Sequence, residues 1–94
     1  MKRRLTERAM MPRSRIAEKA VPLAALPVLQ RGTILGLPDD PLLVRRLASC
    51  GLFPGVEVVV QRRIPAFIIK AGAVRIALDR QTAAGITVLP GGEE

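Results

Sequence analysis

The stretch that decides the fold runs from residue 39 to residue 62: Asp39-Asp-Pro-Leu-Leu-Val-Arg-Arg-Leu-Ala-Ser-Cys-Gly-Leu-Phe-Pro-Gly-Val-Glu-Val-Val-Val-Gln-Arg62. It opens with a helix start. Asp40 is a good N-cap, and Pro41 suits the first helical position, where a missing N–H costs nothing. Leu43, Val44, Leu47, Ala48 and Cys50 follow on one face at helical spacing, which predicts that this face, Cys50 included, is buried. Gly51 is a natural C′ residue, so the helix ends after about ten residues. Phe53-Pro54-Gly55 then turns the chain. Beyond the turn the period changes from helical to two, with Val58 and Val60 on one face of a strand over Glu57–Arg62.

The same alternation continues outward. Residues 66–71 form a strand with Phe67, Ile69 and Ala71 on one face and Ile68 and Lys70 on the other. Residues 74–78 form another, with Val74, Ile76 and Leu78 inward and Arg75 outward. Arg63-Ile64-Pro65 and Gly72-Ala73 are the hairpin links. Upstream, Thr33–Leu37 is a short strand bounded by Gly32 and Pro38. Downstream, residues 79–85 have room for one helical turn, and residues 86–89 form a last strand stopped by Pro90-Gly-Gly. Gly32, Gly51, Gly55 and Gly72 read as turn or cap positions. Five short, mostly sequential strands predict a mainly β, small closed or nearly closed barrel with one inserted helix, because closure removes unprotected edges.

Composition narrows the chemistry. The chain has 94 residues, no His, no Trp, no Tyr, one Cys and two Phe. That length holds one small domain. Lone Cys50 has no disulfide partner within the chain, and a His/Cys metal site has almost no ligands to draw on. No Ser-His or Cys-His nucleophile pair can form. The carboxylates Asp39, Asp40, Glu57 and Asp79 are scattered, and no phosphate-cradling G-x-x-x-x-G-K-[ST] occurs. An enzyme is not expected, and neither is a cofactor or a bound metal.

The net charge of +7 is unevenly placed. Residues 1–20 hold seven basic and two acidic side chains, a net +5, and residues 21–94 hold eight and six, a net +2. The first twenty residues lack a helical period and read as a basic, disordered arm. The apolar run Val21–Leu29 contains two prolines and is followed by Gln30-Arg31-Gly32, so it reads neither as a secretion signal nor as a membrane span of roughly 20 residues. The arm is a solvated tail, a non-specific nucleic-acid contact, or a device that attracts an anionic bilayer. Bilayer attraction is worth about 1 kcal/mol per basic residue near the surface. With two Phe and no other aromatic residue for base stacking, no specific nucleic-acid partner is expected.

The order Leu23, Leu26, Gly32-Thr-Ile34, Arg46-Leu47, Gly51-Leu-Phe-Pro-Gly-Val-Glu-Val58, Gly72, Arg75-Ile-Ala-Leu78, Ala83 and Ile86-Thr-Val88 resembles the ferrous-iron transport protein A (FeoA) family. The resemblance covers about residues 22–90. It implies an SH3-like five-stranded barrel over 21–90, with residues 91–94 as a tail. It also implies a cytoplasmic accessory protein of ferrous iron uptake that works with FeoB, a membrane Fe(II) permease with a GTP-binding domain. The same module closes iron- and manganese-responsive repressors of the DtxR type, so a basic nucleic-acid-binding or regulatory barrel is the alternative. Self-association is open. The sequence departs from the family at Leu29, where a glycine is common, and in the shortened stretch 63–72. Two regions are candidate partner contacts. One is the polar side of the helix, Leu42, Arg45 and Arg46. The other is the central hairpin, Arg62, Arg63, Pro65 and Phe67. A fully buried Phe67 would leave that set.

Overall fold

The structure, a computed structural model, describes residues 19–91. The arm therefore lies outside the described residues except for Lys19 and Ala20, and so do residues 92–94. In chain order the elements are β1 (Val21–Pro22), a 3₁₀ turn (Leu23–Ala25), β2 (Arg31–Gly36), α1 (Pro41–Ser49), β3 (Glu57–Arg62), β4 (Phe67–Ala71), β5 (Val74–Leu78), α2 (Arg80–Gly85) and β6 (Thr87–Gly91). One antiparallel sheet runs β1-β6-β2-β3-β4-β5, so β1 and β5 are its edges.

The helix forms as its residues dictate. The Asp40 carboxylate accepts from the Leu42 and Leu43 N–H groups at 3.1 and 3.3 Å. At the far end, Gly51 has φ 92°. Its N–H reaches the Ala48 carbonyl at 2.9 Å, and the Leu52 N–H reaches the Leu47 carbonyl at 2.9 Å. This is a Schellman cap, with Leu47 and Leu52 buried as its apolar pair. Phe53-Pro54-Gly55-Val56 closes as a β-turn through a Val56 N–H to Phe53 carbonyl bond of 3.1 Å, with Gly55 at φ 98°. Proline second and glycine third is the type II pattern.

A single core lies inside the curl of the sheet. β3 supplies Val58 and Val60, β4 Phe67 and Ile69, and β6 Val88. Leu23, Leu26, Leu47, Ala83 and Ile86 close its ends. Each fully buried aliphatic contributes roughly 1.5–3 kcal/mol.

Several expectations are corrected. Cys50 is exposed, and so is Ala48, because only Leu47 of α1 is fully covered and the helix lies over the core by a narrow stripe. Val74 is 53% exposed, since β5 is an edge strand with no neighbour beyond it among the described residues. Gly32 is no turn residue. It is buried within β2, and a Cβ there would lie 3.0 Å from Leu26 Cδ2 and 3.3 Å from Val88. β2 starts at Arg31, two residues earlier than predicted, because Arg31 pairs with Val59 and Gly91. β6 runs on through Pro90, opposite Gly32. β1 covers only Thr87 and Val88, so Pro90 sits where β6 is itself an edge and a missing donor is tolerated. A sixth strand, β1, joins the five expected. At two residues it is too short to show a period.

Leu29 has φ 72° and is 75% exposed. It is the third residue of a turn closed by the Gln30 N–H on the Pro27 carbonyl at 3.2 Å. A left-handed conformation costs a branched residue about 1–2 kcal/mol, and glycine avoids it at some cost in chain entropy. Leu29→Gly is therefore expected to stabilise the domain by about 0.5–1 kcal/mol, raising Tm by roughly 2–6 °C. A lower Tm in a thermal melt would show instead that the Leu29 side chain holds the structure together.

Candidate functional site

Leu42 is the second residue of α1 and is 73% exposed. Arg45 and Arg46, one turn on, are exposed too, and the Ser49 hydroxyl donates to the Arg46 carbonyl at 2.7 Å. An aliphatic side chain flanked by two guanidinium groups makes a small apolar–basic face. It can offer one anchor for a pocket and two charged hydrogen-bonding forks for carboxylates. The Asp40 cap and the Gly51 cap fix the ends of the helix that presents it.

The central hairpin divides. Phe67 is 2% exposed, a core residue, and leaves the contact set. Arg63 is half-buried and turned inward. Its guanidinium donates to the Leu26 carbonyl at 2.9 Å and the Ala24 carbonyl at 2.5 Å, and lies 5.6 Å from the Phe67 ring centroid. The charge satisfies two carbonyls of the 3₁₀ turn and its exit and stacks on an aromatic face. Arg63 thus ties the hairpin root to the first residues of the domain. Arg80, at the start of α2, donates to the Arg63 carbonyl at 2.9 Å and holds the same root. Arg62 and Pro65 remain exposed. Ile64, between them, is 75% exposed and was not singled out by its sequence context. Arg62 lines a shallow groove with Leu29, Gln61, Ile68 and Arg75 on the outer face of the sheet, so it belongs to a surface other than the α1 face.

Acidic groups gather elsewhere. Asp39, Asp40 and Asp79 border a cleft with Pro38, Leu43 and Thr82. Asp79 caps α2, accepting from the Thr82 N–H at 2.6 Å. Hydrogen bonds from Thr82, its side chain first and its backbone second, hold the Asp79 carboxyl below the usual carboxylate range. Among the described residues no group of three or more His, Cys, Asp or Glu is placed to hold a metal ion, and no helix is long and apolar enough to cross a membrane.

Known proteins share this fold. No curated relative matches the sequence. An iron uptake regulatory protein, FeoA, has a solved structure that is 27% identical, with a TM-score of 0.70, covering 76% of this chain and 96% of that one. The FeoA of Stenotrophomonas maltophilia, solved with zinc and described as an SH3 domain protein, is 23% identical, with a TM-score of 0.62, covering 70% of this chain and 86% of that one. A manganese-dependent transcriptional repressor is 23% identical, with a TM-score of 0.69, covering 76% of this chain but 41% of that one. The last two likenesses show the fold, which is SH3-like. The FeoA domain model matches residues 21–90. With three quarters of its residues inside that match, the chain belongs to the FeoA family, which is linked to ferrous iron transport.

Proposed function

We propose that the chain is a non-enzymatic, cytoplasmic accessory protein of Fe(II) uptake. It binds the cytoplasmic part of a FeoB-type permease through the α1 face and modulates transport. The observation that supports this reading is Leu42, an aliphatic side chain left 73% exposed between caps that fix its helix, with Arg45 and Arg46 beside it. A binding protein shifts a transporter's equilibrium only by its differential affinity for two states. The α1 face would therefore fit one state of the permease's cytoplasmic domain better than the other. Arg62, Ile64 and Pro65 at the hairpin tip are secondary contacts in this reading. The basic residues of the 1–20 arm add attraction to the anionic membrane around the permease. Removing residues 1–20 is expected to weaken sedimentation with anionic vesicles, and unchanged sedimentation would mean that the arm does not bind the membrane.

The test is complementation. The intact chain restores Fe(II) uptake to a strain lacking it, and a folded chain altered at Leu42 and Arg45 does not. Equal uptake by both would overturn the reading. The nucleic-acid alternative draws on the fold shared with the repressor. It is weakened by the aromatic residues, since Phe67 is buried and leaves only Phe53 for stacking.

A further inference from the structure

Among the described residues the sheet ends at β5, and the two sides of that edge differ in chemistry. Gly72-Ala73 is a two-residue hairpin link with Gly72 at φ 64°. Ala71 and Val74, which flank it, are therefore a hydrogen-bonded pair, and the pairing alternates from there. Val74, Ile76 and Leu78 turn their backbone groups toward β4. Arg75 and Ala77 turn theirs outward, to the free edge.

On the outer side of the sheet, the register aligns a row of charge. Arg31 stands opposite Val59, Val59 opposite Lys70, and Lys70 opposite Arg75. Arg62 joins the row beside Arg75 in the outer groove. Among the described residues one carboxylate serves this face, Glu57, 3.9 Å from Arg31. Lys70 and Arg75 face each other across adjacent strands, and like charges so placed are mutually destabilising. On the inner side, β5 and α1 border a cleft of about 200 Å³ lined by Leu43, Leu47, Cys50, Ile76 and Leu78. Arg46 and Asp79 stand at its margins, and Ala77 borders it as well.

We propose that β5 accepts an extended partner segment as a further strand, and that the segment alternates acidic and apolar residues. Residues beside Arg75 and Ala77 would project onto the outer face, where carboxylates meet Arg75, Lys70 and Arg62. Residues beside Ile76 would project inward and fill the α1 cleft. Main-chain bonds to Arg75 and Ala77 supply the attachment, and the alternation supplies the specificity. Charge selects this occupant over the others. A second copy paired through β5 would bring two basic rows together on one face. The basic 1–20 arm would be repelled. This surface adjoins the Leu42 face at Arg46, which borders the cleft, and the proposal does not depend on the Leu42 contact.

The test uses the full chain and a fluorescein-labelled peptide of alternating Glu and Val between glycine ends, read by anisotropy. A peptide of alternating Lys and Val is the control. The Glu/Val peptide is expected to bind saturably and the Lys/Val peptide not to bind. Arg75→Glu should weaken the first by roughly tenfold or more, as reversed interface charges do. Ala77→Pro removes an outward N–H that β4 does not use, so it should weaken binding by a similar factor while the fold, checked by circular dichroism, persists. If Ala77→Pro fails to fold, a Glu/Val peptide N-methylated at alternate residues replaces it, and its loss of binding supports strand pairing. Three results would overturn the proposal. The first is no binding of the Glu/Val peptide. The second is unchanged binding to Ala77→Pro or of the methylated peptide, which would mean charge attraction alone. The third is a dimer in sedimentation that dissociates when β5 is altered, which would mean that a second copy takes the edge.

Discussion

Phe67→Ala is expected to cost about 3–5 kcal/mol and to leave the domain far less stable. The ring is 2% exposed at the start of β4, opposite Leu78, and packs in the same core as Val60 and Ile69. Truncation would open a cavity in a core that is small to begin with. It would also remove the ring over which the Arg63 guanidinium lies. Arg63 would keep its two carbonyl partners at Ala24 and Leu26 but lose the aromatic face that shields them. A domain of this size holds about 5–15 kcal/mol in total, so such a loss is a large fraction of it. Phe67→Leu keeps most of the volume and should cost about 1–2 kcal/mol. Urea unfolding of both variants checks the ordering. A loss below about 1 kcal/mol for Phe67→Ala would mean that the ring is not the core residue described here.

Leu42→Asp combined with Arg45→Glu should abolish partner binding while sparing the fold. Truncated hot spots cost about 2–4 kcal/mol, so affinity should fall by at least about thirtyfold. The pair removes the one large aliphatic anchor of the α1 face and reverses a neighbouring charge. Stability should change little. Both side chains are exposed, and an aspartate in the first turn of α1 is favoured by the helix dipole and by its good fit near a helix start. The melting temperature should therefore stay within a few degrees of the parent while capture of the permease domain disappears. Retained capture by the folded variant would move the contact off α1.

What was legible in the sequence follows the range of the forces involved. Asp40-Pro41, Gly51, Pro54-Gly55 and Gly72 act on their own few residues, and each occupies the cap or turn its chemistry predicted. The period-two alternation placed Phe67 on the inner face, and the structure puts it in the core. What was missed depends on distant neighbours. Cys50 lies on the apolar side of α1 by spacing, yet it is exposed. Val74 alternates correctly but sits on an edge. Arg63 reads as a solvated turn residue until its partners, 37 and 39 positions away, are seen. The basic row Arg31–Lys70–Arg75 exists only once β2, β3, β4 and β5 are in register. The small net charge of the body concealed this segregation of signs. Leu29 is the instructive middle case. The absence of a family glycine was visible, and its consequence, a left-handed leucine, was not.

In the proposed function this chain acts through a protein contact on α1. Titrating the isotopically labelled chain with the purified cytoplasmic domain of a FeoB-type permease, read by backbone amide shifts, tests it most directly. Saturable shifts centred on Leu42, Arg45 and Arg46 are expected, and none in the Leu42→Asp, Arg45→Glu chain. No shift at any accessible concentration, in a chain that cells still require for ferrous iron uptake, would contradict it.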